Sequence, residues 1–127
     1  MALARQTEAH KIKPLPSAHV DMFIIGAAVE AGEIVALQSD GFWDPAVATG
    51  VVKTAGIAVK AAGVGDEIDI VWGGPVECLT GATPGDWVYI SDTAGEPSHT
   101  AGTKAFIIGY ALTATRLMVQ PQPVAFS

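Results

Sequence analysis

"PGDWVYISDTAG", residues 84–95, holds the signals from which the fold is read. Pro84 and Gly85 mark a turn, Trp87, Val88, Tyr89 and Ile90 alternate as a half-buried strand does, and Ser91, Asp92 and Gly95 reverse the chain. The stretch describes a hairpin and offers no nucleophile with a base beside it. A related stretch, "AGEIVALQSDGFW", stands at residues 31–43. Gly32 and Gly85 precede strands 53 residues apart, and each strand runs into a Ser-Asp pair followed by a glycine.

The echo continues. Gly56 in "AGIAVK" and Gly109 in "IIGYALT" are again 53 residues apart, with Ala58 and Ala111 two positions on. The strands "EIDIV" and "TRLMV" close the series at a separation of about 48 to 49 residues. Three strands recurring in one order read as two similar β-units sharing one core. Candidate strands lie at residues 21–29, 33–38, 56–61, 67–72, 76–80, 86–91, 105–112 and 115–120. Only residues 45–56, "PAVATGVVKTAG", have room for a turn or two of helix, and their β-branched residues and Gly50 oppose more. Residues 1–20 show no sustained period, and Pro14 and Pro16 interrupt any helix there. The expected fold class is all-β: a small closed or partly open β-barrel of two similar units over residues 21–127, with an extended N-terminal arm over 1–20.

The chain of 127 residues is one domain's worth, large enough to bury a core without staples. Cys78 is its single cysteine, so neither an intrachain disulfide nor a cysteine cage for zinc is available. No cationic segment precedes a long apolar run, so a soluble, unprocessed chain is expected. Only 16% of residues are charged, where a free soluble surface needs about a quarter, so part of the surface is expected to be covered by other copies or a partner. The arm carries a net +2 and the remainder −8. An acidic body repels phosphates, so nucleic acid is not an expected partner.

Chemistry is sparse in this pattern. His10, His19 and His99 lack the spacing of a zinc site, and no metal or cofactor is expected. Asp66, Glu67 and Asp69 cluster in "GDEIDI"; Asp66 belongs to a turn, while Glu67 and Asp69 share a solvated strand face opposite Ile68 and Ile70. "AAGVGD", residues 61–66, lacks the lysine and following helix of a phosphate loop and reads as a turn. Cys78 reads as a buried, inert thiol. The aromatic residues could line a sugar or other small-ligand pocket but read rather as core or interface, with Trp43 in "GFWDP" expected to be exposed and to touch a partner.

Gly85, Asp86, Val88 and Tyr89, in a "GD-x-V-Y" strand, and Ile108, Gly109, Ala111 and Leu112, in a late "IG-x-A-L" strand, resemble the decoration or cement proteins of tailed-bacteriophage capsids. The similarity spans most of residues 27–120. It implies a β-tulip-like, commonly trimeric domain on the outside of an expanded head in the virion, bridging major capsid protein subunits after synthesis in the bacterial cytoplasm. Under that resemblance the chain is a non-enzymatic clamp with two partners, the major capsid protein and itself as a homotrimer, and with no nucleic acid or membrane bound. Many modest contacts acting together supply the hold. The arm residues Arg5, Lys11, Ile12, Lys13 and Leu15 are expected to lie over a neighbouring subunit, adding a strand to an open edge, and Phe42 and Trp43 to join the contact.

Three rivals are weighed against this. A tail-tube or head-completion protein would use a similar β-domain. A biotinyl- or lipoyl-like domain presents a lysine at the hairpin after such a strand, where this chain has Gly41 after Ser39 and Asp40. A small hydrolase using Ser98 and His99 would need an orienting acid brought in by the fold.

Overall fold

An unbroken run of 11 residues, Glu67–Glu77, forms the strand from which the rest of the sheet is hung. The computed structural model describes residues 3–8, 11–49 and 54–122, the side chain of Gln122 excepted. In chain order the strands are β1 (Ala4–Arg5), β2 (Lys13–Pro14), β3 (His19–Ile24), β4 (Ile34–Leu37), β5 (Trp43–Pro45), β6 (Ala55–Ala58), β7 (Glu67–Glu77), β8 (Leu79–Thr80), β9 (Trp87–Ile90), β10 (Pro97–Ser98), β11 (Ile107–Ala111) and β12 (Arg116–Gln122). Among the described residues there is no α-helix, and every strand pair is antiparallel. The protein is almost all β, and its main sheet is curled into a half-barrel.

The main sheet runs β10-β9-β11-β12-β7-β6-β4-β5, with β2 and β3 also paired to β7. Read inward from its two edges, the order is β10-β9-β11-β12 on one side and β5-β4-β6-β7 on the other, meeting where Met118 of β12 faces Pro75 of β7. β7 serves both sides because it bends in the middle. Its first half lies between β3 and β6, its second between β2 and β12. Gly74 has a φ of 88°, and a Cβ there would sit 2.8 Å from the Ala18 Cα, so glycine is required by both the left-handed backbone and the close approach. The sequence "WGGP", which reads as the end of one strand and the start of another, is thus a kink within one.

Among the described residues, two clusters fill the interior. The larger takes Ile34, Ile57 and Val71 from the first half of the sheet, Val88, Ile90, Ile108, Leu117 and Val119 from the second, and Ile12 from the N-terminal segment. The smaller joins Ile25, Val29, Val35, Trp43, Ala58, Ile68 and Ile70. It is closed where Ile25 bridges to Trp43 in parallel, carrying the chain after β3 across to β5.

Three expectations are corrected. The strand expected at residues 21–29 is β3, which begins at His19 and ends at Ile24, because it is the pairing with β7 that defines it. Residues 45–49 and 54–56 form no helix; residues 50–53 lie outside the described residues. The N-terminal segment is extended, but β1 pairs with β8 and β2 with β7 of the same chain, so its described residues 3–8 and 11–20 are part of the folded body.

Candidate interaction surface

The N-terminal segment is held by its charges as well as by its backbone. Arg5 donates from Nε to Glu96 Oε2 at 2.9 Å, from Nη1 to the Ala31 carbonyl at 2.9 Å and from Nη2 to Glu30 Oε1 at 3.0 Å. Its side chain is only 10% exposed. Burial alone would lower its pKa, but Glu96 first and Glu30 second outweigh that and raise it. Ile12 is 4% exposed and packs in the larger cluster, where its Cδ1 would lie 2.8 Å from a Cβ on Gly32. Arg5 and Ile12, expected to meet a neighbour, therefore meet their own chain.

The other arm residues remain at the surface. Lys11 is exposed and pairs with Glu8 at 2.7 Å. Lys13 is exposed and faces Glu77 across the β2–β7 register. Leu15 is half-buried and donates its amide to the Pro75 carbonyl at 3.1 Å. Burial pushes the Glu77 carboxyl up, yet hydrogen bonds from Thr115 and Arg116 and the charges of Arg116 and Lys13 hold it below its ordinary value.

The expected exposure of Trp43 is also corrected. Phe42 is 40% exposed, but Trp43 is 3% exposed, its ring centroid 4.7 Å from that of Phe23. Phe42 ends the turn before β5, and Trp43 opens the strand with its ring in the smaller cluster. Trp43 Nε1 and the neighbouring Asp44 Oδ1 are buried without a hydrogen-bond partner among the described residues. Burial, then the charge of Asp40, raises the Asp44 carboxyl above its usual range.

The remaining chemistry-bearing residues are used structurally. His99 Nε2 accepts from the Thr83 amide at 2.9 Å and its Nδ1 lies 2.9 Å from the Trp87 carbonyl. A neutral ring protonated on Nδ1 satisfies both bonds, so His99 ties its loop to the turn before β9 and to β9 itself. Ser98 Oγ accepts from the Thr100 amide at 3.0 Å. Glu67 and Asp69 are exposed opposite buried Ile68 and Ile70, and Asp66 Oδ2 accepts from the Gly63 amide at 2.9 Å within its turn. Among the described residues no three His, Cys, Asp or Glu side chains assemble a metal site. Cys78 is fully buried, which drives its thiol pKa upward. Gly41 stands in an exposed turn with a φ of 88°.

The feature that single-residue reasoning missed is a row. Cross-strand partners share a face, and the register sets Trp87 opposite Tyr110, Tyr110 opposite Met118 and Met118 opposite Pro75. Trp87 and Tyr110 meet edge to face, with centroids 6.2 Å apart. Trp87 is 46% exposed, and the other three are half-buried. Each residue was visible in the sequence; the strand order that lines them up was not. Compared with known proteins, the chain matches no family model and no curated protein sequence.

Proposed function

We propose that this protein is a structural component of a phage virion, binding the outer surface of an expanded capsid and clamping neighbouring major capsid protein subunits while associating with copies of itself as a trimer. The observation that carries this reading is the meeting of the two stretches on which the resemblance rests. The "GD-x-V-Y" strand is β9 and the "IG-x-A-L" strand is β11, and they are direct neighbours with Gly109 opposite Val88. Gly85 donates its amide to the Ala111 carbonyl at 2.8 Å, and Ala111 donates to the Asp86 carbonyl at 3.0 Å. Residues 21 to 26 positions apart in sequence thereby form one structural unit.

The reading includes two similar β-units, β4 to β7 and β9 to β12. Matching registers support it. Ile34 faces Ile57 and Val35 faces Gly56, just as Trp87 faces Tyr110 and Val88 faces Gly109, each residue displaced by 53 positions. Gly32 and Gly85 share a φ of 87° at the turns that open the two series. A clamp built this way needs a rigid sheet with side chains left over for neighbours. Lys11, Lys13, Leu15 and Phe42 are the expected contact residues that the fold leaves at its surface.

Electron microscopy of virions from a phage encoding this chain tests the proposal. Density for the domain on the outer shell, bridging capsid subunits, is expected. Density in the tail tube or at the head vertex assigns it to another virion role, and absence from the particle removes the reading.

A further inference from the structure

The strands β9, β11, β12 and the end of β7 have one face in the core and one outside. Val76, Val88, Ile108, Leu117 and Val119, at most 2% exposed, fill the first. The outer face carries the row of Trp87, Tyr110, Met118 and Pro75, with Leu112 beyond it at 37% exposed. The other half of the sheet has a counterpart. Ile34 faces Ile57 and Ile57 faces Val71, the same pairing as Trp87 with Tyr110 and Tyr110 with Met118. Those three are 0–1% exposed, covered by the second half of the sheet. One row is covered by a β-sheet; its equivalent is left half-buried to exposed.

Charge selects the occupant. The chain carries a formal net charge of −6, and Asp21, Glu67 and Asp69 stand exposed on β3 and the first half of β7. The outer row is uncharged and rich in the residue types that fill interface centres. At its border Arg116 donates from Nε to Glu77 Oε1 at 2.9 Å. A strongly charged partner would find no matching charge along the row. Copies that bring their rows together around a common axis set no like charges against each other along the row, and each brings both a cation and an anion to the rim. We infer that copies of this chain associate through this face, with Trp87 as the anchor. This names the surface behind the self-association in the function proposed above and rests on that part alone, not on the capsid.

Sedimentation of the full chain tests it, using wild type, Trp87→Lys and Met22→Lys, which alters an apolar residue 55% exposed on β3. Wild type and Met22→Lys are expected to sediment as a multiple of the 13.1 kDa chain, and Trp87→Lys as a single chain with unchanged circular dichroism. Leu112→Lys, beyond the end of β11, replaces Trp87→Lys if that variant fails to fold. A wild type that remains a single chain at its highest soluble concentration overturns the inference, as does a folded Trp87→Lys or Leu112→Lys that stays assembled, or a Met22→Lys that dissociates. Assembly without binding to heads would leave the inference intact and remove the capsid reading.

Discussion

Arg5 and Glu96, 91 positions apart, are joined by a hydrogen-bonded ion pair of 2.9 Å, and the same guanidinium holds Glu30 at 3.0 Å. Glu30 precedes β4 and Glu96 precedes β10, so a residue of the N-terminal segment fastens both halves of the sheet. Removing the guanidinium also strips a partner from the Ala31 carbonyl. Arg5→Ala is expected to cost about 2 to 3 kcal/mol in urea unfolding. A double-mutant cycle should assign most of the coupling to Glu96, because the Glu30 side chain is 73% exposed and contributes about 0.3 kcal/mol.

Glycine replacements separate crowding from backbone strain. A Cβ on Gly56 would lie 2.6 Å from the Val71 carbonyl oxygen, and one on Gly109 would overlap the Met118 carbonyl. Neither obstacle is a flexible side chain. Gly41 and Gly85 have nothing within 4 Å of a Cβ but hold φ values of 88° and 87°. Gly56→Ala and Gly109→Ala should each cost about 3 kcal/mol or more, against about 1 kcal/mol for Gly41→Ala and Gly85→Ala. Thermal midpoints falling in the reverse order would contradict the close packing of β6 on β7 and of β11 on β12.

Two carboxylates are expected to give opposite responses to pH. The Glu77 pKa is held below its unfolded value of 4.5, so its stabilising contribution is present above pH 4.5 and disappears as pH falls through the lower folded value. Glu77→Gln should therefore be less stable than wild type at neutral pH, with the gap closing in acid. Asp44 is raised above 3.8, so its ionised form destabilises the fold at neutral pH. Asp44→Asn should be the more stable protein at pH 7, and that advantage should shrink as acid protonates Asp44 in the wild type. Urea midpoints measured across the acid range check both signs.

Trp43 offers a contrast between volume and polarity. Trp43→Ala empties a site within the smaller cluster and should cost about 3 to 5 kcal/mol. Trp43→Phe keeps much of the packing against Phe23 and removes the unpartnered Nε1, so its cost should be well under half of that. Equal losses in the two variants would show that the indole nitrogen has a partner.

The strands with clear alternation were legible in the sequence because their faces are decided locally. β9 was expected at residues 86–91 and spans Trp87–Ile90, and the division of Glu67 and Asp69 from Ile68 and Ile70 holds. Trp43 was misread because turn residues flank it, while its burial comes from the bridge to Ile25, 18 positions away. The pairing of β1 and β2 was invisible for a similar reason: two-residue strands carry no period, and the strands that receive them fix their place. "WGGP" carries the signs of a turn, and only the strands paired on either side show that β7 continues through it.

The shared strand β7 also imposes an order of events on the newly made chain. The smaller cluster needs no residue beyond Ile70, whereas the larger spans Ile12 to Val119. The first can consolidate early, but the second must wait for segments from opposite ends of the polypeptide to find the same strand, a long-range search that slows folding. Until β12 arrives, one side of the second half of β7 lies open, and shielding it during synthesis is the debt this architecture leaves to the cell.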